Sequence, residues 1–161
     1  MHYAKGYDFA VKAASILKTT QVPFVWMFVG DGDELYNVKK LIDHYSLQNE
    51  ILLCGMQPNP YPFIAAADIY VQTSRTEGFC ITLSEARILD KPIVTTDFPV
   101  VHDQIRDGVN GIIAEMNPES IAGTICYLWK HKELFNVIRQ NVRNEKKGNV
   151  GEIECVESLL G

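Results

Sequence analysis

Thr73-Ser74-Arg75-Thr76-Glu77-Gly78-Phe79-Cys80-Ile81-Thr82-Leu83-Ser84-Glu85-Ala86 follows the apolar run Ile69-Tyr70-Val71-Gln72 and leads into a helical pattern. A strand, a loop and a helix in that order present unpaired N–H groups and a positive dipole end at the loop, which suits a phosphate. Gly78 lets backbone approach a ligand, and Thr82 and Ser84 add hydroxyls. Glu77 precedes the helix and Glu85 lies about one turn into it, where carboxylates accept hydrogen bonds from sugar hydroxyls. By chemistry alone this is a site for a phosphorylated polyol. The same residues also make an ordinary βα turn with an acidic helix start, and the segment taken by itself leaves the two open.

On either side, strands and helices alternate. Tyr7, Ala10, Ala14 and Leu17 give a helix from Lys5 to Lys18. Phe24–Val29 is apolar throughout, as a strand buried on both faces is. Gly30–Glu34 turns into a helix with a stripe of Leu35, Val38, Leu41, Ile42 and Tyr45, and Asp31 and Glu34 stand at capping-box spacing. Ile51–Cys54 is a strand ending at Gly55. Gln57–Pro62 is too proline-rich for an element interior, and Phe63–Ala67 is a short helix. After the strand Ile69–Gln72 come a helix Ile81–Leu89, a strand Pro92–Thr96, a helix Pro99–Arg106, a turn Asp107–Gly111 and a strand Gly111–Ala114. Ile121, Ile125, Leu128 and Trp129 stripe one later helix, Leu134, Phe135 and Ile138 begin another, and Glu152–Leu160 reads as one more. The pattern predicts a Rossmann-like three-layer α/β/α domain with a parallel sheet covered on both faces. Ligands then bind at the carboxyl ends of the strands.

The totals narrow the partners. The 161 residues make one ordinary domain, 47% apolar and 22% charged, with net charge −5 and pI near 5.3. Nothing basic dominates, which argues against nucleic acid; Lys146-Lys147 reads as a solvated helix end. Cys54, Cys80, Cys126 and Cys155 lack zinc or thioredoxin spacing and read as reduced, cytoplasmic cysteines. No apolar run reaches the about 18 residues of a membrane helix.

The words around the loop resemble a known family. Glu77, seven residues, then Glu85 is similar to the E-x7-E motif of GT-B glycosyltransferases, especially retaining family 4. Ala66-Ala67-Asp68-Ile69-Tyr70-Val71 resembles the strand before that motif, and Ser74-Arg75-Thr76-Glu77-Gly78-Phe79 its usual lead-in. Glu85-Ala86 and Lys91-Pro92-Ile93-Val94 resemble the family's helix and next strand, and Gly108-Val109-Asn110-Gly111 the turn beyond them. The ordered set, more than E-x7-E alone, carries the likeness across nearly the whole chain.

The resemblance implies roles. Residues 1–161 would be a single nucleotide-sugar-binding domain, the C-terminal donor half of a hexosyltransferase-type enzyme of polysaccharide or cell-envelope assembly. Glu77 would bind donor-sugar hydroxyls, and Lys5 would neutralise the diphosphate leaving group. The amides of Phe79, Cys80 and Ile81, beside Gly78, would reach the sugar or diphosphate, and Thr82 the phosphate. Glu85 would hold the ribose, and main-chain groups of Met56 the base. Cys80 stands where glycine is frequent. The donor would be a UDP-sugar ahead of a GDP-sugar, with no cofactor and no metal. The setting would be cytoplasmic or at the inner membrane face. The family's first strand with its Gly-Arg, and the acceptor domain that would receive a glycan or lipid, lie outside this chain. It would then be a truncated piece, a gene fragment or one subunit of a split enzyme, inactive alone, and an unpaired strand edge would favour self-association. A non-catalytic binding module is the alternative.

Other patterns carry less. Asp31-x-Asp33 resembles a GT-A metal pair but reads better as a helix cap. Gly30-x-Gly32 lacks the dinucleotide fingerprint, and His102-Asp103 with Ser84 or Cys80 lacks a nucleophile elbow. Arg75 and Arg87 read as exposed and Trp26 and Trp129 as core, while Tyr61 in the proline loop is a lesser candidate to border the base.

Overall fold

A computed structural model describes residues 1–146; Lys147, Cys155 and the helix expected over Glu152–Leu160 lie outside the described residues. The elements are, in chain order, α1 (Tyr7–Thr19), β1 (Trp26–Val29), α2 (Leu35–His44), β2 (Ile51–Gly55), α3 (Tyr61–Ala66), β3 (Tyr70–Gln72), α4 (Ile81–Ile88), β4 (Ile93–Thr96), β5 (Ile112–Ala114), α5 (Pro118–Lys130) and α6 (Lys132–Lys146). All strand pairings are parallel. This is the α/β architecture that the alternation predicts.

The sheet comes in two parts. β1 pairs with β2, and β3–β4–β5 form a second ladder with β4 in the middle. β1 and β3 do not pair. The edges of β1 and β3 that face away from β2 and β4 carry no partner strand among the described residues. Helix α1 spans the two parts. Its Ala13 and Leu17 pack with Val94 and α5, while Ala10, Val11 and Ala14 pack with Phe28 and α2. Alanines on both sides let α1 lie close to its neighbours, and losing a fully buried side chain such as Leu17 to alanine costs about 2–5 kcal/mol. Within β4, Val94 faces the α1–α5 core and Ile93 faces a cluster of Leu83, Phe98, Val101 and Ile105. That period-two split is what a sheet covered on both faces requires.

Local chemistry explains where the elements depart from expectation. Residues 99–106 form only a 3-10 turn, Val101–Asp103. Val101 and Ile105 are both buried, so the helical spacing is real. The Asn110 side chain, however, takes the Arg106 amide at 2.8 Å, which a helix would give to a carbonyl. Helix α3 begins at Tyr61, because Pro62 in a first turn costs no hydrogen bond. The Asp31–Glu34 capping box does not form. Glu34 is itself the N-cap of α2 without a side-chain cap bond, and Asp31 accepts from the Gly32 amide at 2.7 Å. Trp129 is 39% exposed, its ring under the Lys132 ammonium, rather than core. The α5 start is well made, with Asn117 accepting from Ser120 and Pro118 opening the helix.

Candidate functional site

The carboxyl ends of β1 and β3 are joined by the segment Met1–Gly6. At one end Glu34 N–H donates to the Met1 carbonyl at 3.1 Å. There Gly32 (φ +142°) is forced to be glycine, since a Cβ would lie 2.2 Å from Met1 nitrogen. At the other end Arg75 N–H donates to the Ala4 carbonyl at 2.7 Å, and Thr73 Oγ1 to the Lys5 carbonyl at 3.0 Å. Gly6 (φ +63°) permits that approach, because a Cβ would come within 1.9 Å of the Thr73 carbonyl oxygen. The Tyr7 hydroxyl donates to the Val29 carbonyl at 3.2 Å, tying the start of α1 to β1.

This placement brings Lys5 to Glu77 across 72 positions of sequence. Lys5 Nζ donates to Glu77 Oε1 at 2.8 Å and Oε2 at 3.0 Å. The Glu77 side chain is only 11% exposed, the Lys5 side chain 43%. Two buried neighbours hold the same carboxylate. Gln72 Nε2 donates to Glu77 Oε1 at 2.8 Å and Ser74 Oγ at 2.5 Å. Thr96 at the end of β4 fixes the strand beneath, its Oγ1 donating to the Ser74 carbonyl at 2.5 Å. Sequence reading missed Gln72 and Ser74 as partners of Glu77. Their alternate spacing at the end of a strand, which puts both on one face, was the available signal.

After Glu77 the loop opens to solvent. Gly78 has nothing within 4 Å of a notional Cβ, and Phe79 and Ile81 are 76% and 61% exposed. The amides of Phe79 and Cys80 make no hydrogen bond within the described residues, whereas the Ile81 amide is engaged by the Phe79 carbonyl at 2.9 Å. A ligand would have to displace that bond. Cys80 is buried, and burial raises its thiol above the usual range, so it is a neutral packing residue beside Thr82 Oγ1 at 3.4 Å. Thr82 also donates to Gln72 Oε1 at 3.4 Å. Farther along α4, Glu85 accepts from the Tyr61 hydroxyl at 3.0 Å. Met56, just past β2, is 75% exposed. The open loop thus puts a cation–carboxylate pair, unengaged amides, a hydroxyl and a second carboxylate along one strand-to-helix segment. Such an array can hold a diphosphate and a polyol.

Other expectations change. Arg75 is no free exposed arginine: it clamps Asp8 through two bonds of 2.8 and 2.7 Å. Its guanidinium lies 4.1 Å and 3.9 Å from the Tyr3 and Phe9 ring centres. Arg87 pairs with Glu145 at 3.0 Å. His102 pairs with Asp97 at 2.9 Å while Ser84 donates to Gln104, so no triad assembles. Among the described residues, no three His, Cys, Asp or Glu side chains converge on a metal-sized site, and no helix is long and apolar enough to cross a membrane.

Comparison with known proteins identifies the family and the fold. A family model described as "Glycosyl transferases group 1" matches residues 1–145. The chain is 32% identical over 129 residues to the poly(glycerol-phosphate) alpha-glucosyltransferase of Bacillus subtilis, covering 78% of this chain and 19% of that protein. It is 26% identical over 125 residues to the N-acetyl-alpha-D-glucosaminyl L-malate synthase of Bacillus anthracis, covering 77% and 33%. Among solved structures, the pneumococcal O-GlcNAc transferase GtfA in complex with UDP and GlcNAc superposes with a TM-score of 0.85 at 24% identity, over 99% of this chain and 34% of that one. Anabaena Alr3699/HepE in complex with UDP superposes at 0.83 and 20% identity, over 99% and 44%. These neighbours are GT-B glycosyltransferases and share the fold. The chain spans well under half the length of the curated relatives it matches. With its family model met over nearly all the described residues, the chain belongs to the glycosyl transferases group 1 family.

Proposed function

We propose that residues 1–161 form the donor half of a retaining glycosyltransferase, which binds a nucleoside-diphosphate sugar. The observation that carries this reading is the Lys5–Glu77 pair, set by the β3–α4 loop beside the start of α4. Lys5 neutralises the diphosphate as it leaves, and Glu77 orients the sugar hydroxyls. The amides of Phe79 and Cys80, with that of Ile81 once released, and the Thr82 hydroxyl receive the sugar and phosphates, Gly78 leaving room for them. Glu85 binds the ribose, and the main chain at Met56 borders the base. In the transfer, the bond from the anomeric carbon to the diphosphate oxygen breaks and a bond to the acceptor oxygen forms on the same face. The acceptor proton passes to the departing diphosphate. The protein supplies position and charge rather than a nucleophile.

A UDP-sugar is favoured over a GDP-sugar, supported by the UDP named with two of the superposed structures. The acceptor, a glycan, lipid or polymer, would meet an N-terminal domain outside this chain, so these residues alone would bind donor without turning it over. The edges of β1 and β3 that face neither β2 nor β4 would allow copies to associate. The setting would be cytoplasmic or the inner membrane face.

Calorimetric titration with UDP, GDP and their sugar conjugates, without added metal, tests the reading. Saturable binding of one nucleotide that is lost in Glu85→Ala is expected. If the chain and a version extended upstream both bind none of them, the reading is wrong.

A further inference from the structure

One buried side chain joins the two flanks of the proposed donor site. Gln72, at the end of β3, is 7% exposed. Its Nε2 donates to Ser74 Oγ at 2.6 Å and to Glu77 Oε1 at 2.8 Å. Its Oε1 accepts from the Tyr70 hydroxyl at 2.8 Å and the Thr82 hydroxyl at 3.4 Å. Both amide protons and both lone pairs are thereby used, the full capacity of the group. The amide is fixed in one sense, because turning it over would set its carbonyl oxygen against the Glu77 carboxylate. Burial pushes the Tyr70 phenol well above its ordinary range, so that hydroxyl stays protonated and donates. The strand beneath does not shift, since Thr96 Oγ1 donates to the Gln72 carbonyl at 3.4 Å as well as to that of Ser74.

We propose that Gln72 is a positioning residue that sets Glu77, and through it Lys5, in register with Thr82 at the start of α4. It reaches no ligand and acts through those three side chains. The inference rests on the donor-site reading and deepens it. A carboxylate that accepts from Gln72 and Ser74 on one side offers a fixed face to the Lys5 ammonium on the other. With Gln72 removed, Glu77 keeps only Ser74 and Lys5, and Thr82 loses the acceptor that turns its hydroxyl inward. Supports of this kind govern how well the contacting groups are preorganised.

The test uses Gln72→Met, which keeps length and burial and removes all four hydrogen bonds. The first readout needs no nucleotide. Trace acetylation of Lys5 by acetic anhydride is followed by peptide mass spectrometry and normalised to exposed Lys39. Lys5 should label about threefold faster or more in the variant, as expected when a charge-assisted bond is loosened. The second readout is UDP-glucose affinity in a double-mutant cycle with Glu77→Gln. Gln72→Met alone should weaken binding about tenfold, and the same change in a Glu77→Gln background should add less than about twofold. A purely structural role would lower the melting temperature and act additively on affinity. Unchanged Lys5 labelling in a folded variant overturns the proposal, whether or not any nucleotide binds. Faster labelling in a protein that binds neither UDP nor UDP-glucose would uphold the positioning of Lys5 and sink the donor-site reading instead. If Gln72→Met does not fold, Tyr70→Phe removes only the hydroxyl on Gln72 Oε1, and should raise Lys5 labelling about twofold; no rise overturns the proposal equally.

Discussion

Glu77 and Glu85 sit eight positions apart on the same loop and helix, yet their surroundings differ sharply. Glu77 is 11% exposed and accepts from Lys5, Gln72 and Ser74. Glu85 is partly buried and accepts from the Tyr61 hydroxyl across the gap to α3. The first carboxylate is held by three side chains; the second takes a hydroxyl from a neighbouring helix. The difference arises from position. Glu77 lies over the end of a strand whose alternate residues turn toward it, while Glu85 lies within α4, where its helix neighbours point away.

The hardest blow to that contrast is Glu77→Ala. It strands a buried amide and a buried hydroxyl, each costing about 1–3 kcal/mol when left unpaired. A total near 3 kcal/mol lowers the melting temperature by roughly 6–12 °C in a chain of this size. Scanning calorimetry reads it, and a shift under about 2 °C would mean that the network is not structural. The same variant should spare free UDP and weaken the intact donor sugar; equal losses for both ligands would contradict the assignment of Glu77 to the sugar.

Glu85→Ala should behave in the opposite way. We expect UDP affinity to fall about tenfold or more, because the ribose loses a charged acceptor, with a stability change below about 1 kcal/mol. Titration and melting on one preparation decide it. A large melting shift with unchanged affinity would exchange the roles of the two carboxylates.

Legibility in the sequence divides along the same line. The run of elements along the chain, the parallel pairing and the β3–α4 loop are legible because hydrophobic period is local. The support of Glu77 is half legible: Gln72 and Ser74 alternate toward it, but nothing local says that a glutamine there is buried. The pairing of Arg75 with Asp8 is not legible at all, since it spans 67 positions and depends on how Met1–Gly6 crosses between β1 and β3. The same holds for Asn110 halting a helix at Arg106, and for the sheet falling into two parts.

Tyr61→Phe sharpens the weaker side. Loss of the phenol frees Glu85 to sample other rotamers, and UDP affinity should drop about two- to fivefold, the worth of one hydrogen bond, with melting nearly unchanged. If affinity rises instead, the Tyr61 bond is a latch that the ribose must break.

The smallest effect concerns pH, and it separates the two ends of the segment. Each end has an acid-sensitive clamp: Asp8 with Arg75 beside Glu77, and Glu145 with Arg87 beside Glu85. Burial pushes the Asp8 carboxyl up, but the Arg75 hydrogen bond and charge, helped by Lys12, outweigh it, and the net is below the usual carboxylate value. For Glu145, burial likewise pushes up, while hydrogen bonds from Asn110 and Arg106 and the charges of Arg87 and Arg106 bring it below. A carboxylate depressed in the folded state contributes stability that is present above its unfolded value. That contribution is lost as pH falls through the folded value, here below about pH 4. Both pairs are partly solvated, so each is worth under about 1 kcal/mol at neutral pH. Asp8→Asn should therefore cost that much at pH 7, with the deficit against the unaltered chain vanishing toward pH 3. Because Arg75 also donates to the Tyr3 carbonyl, Asp8→Asn should speed amide exchange at Lys5 and Gly6 and leave Glu85 and Ala86 as they were. Glu145→Gln should leave Lys5 and Gly6 protected. Equal exchange at both ends in either variant would mean that the two carboxylates share one cooperative unit, and that their different surroundings do not make them independent.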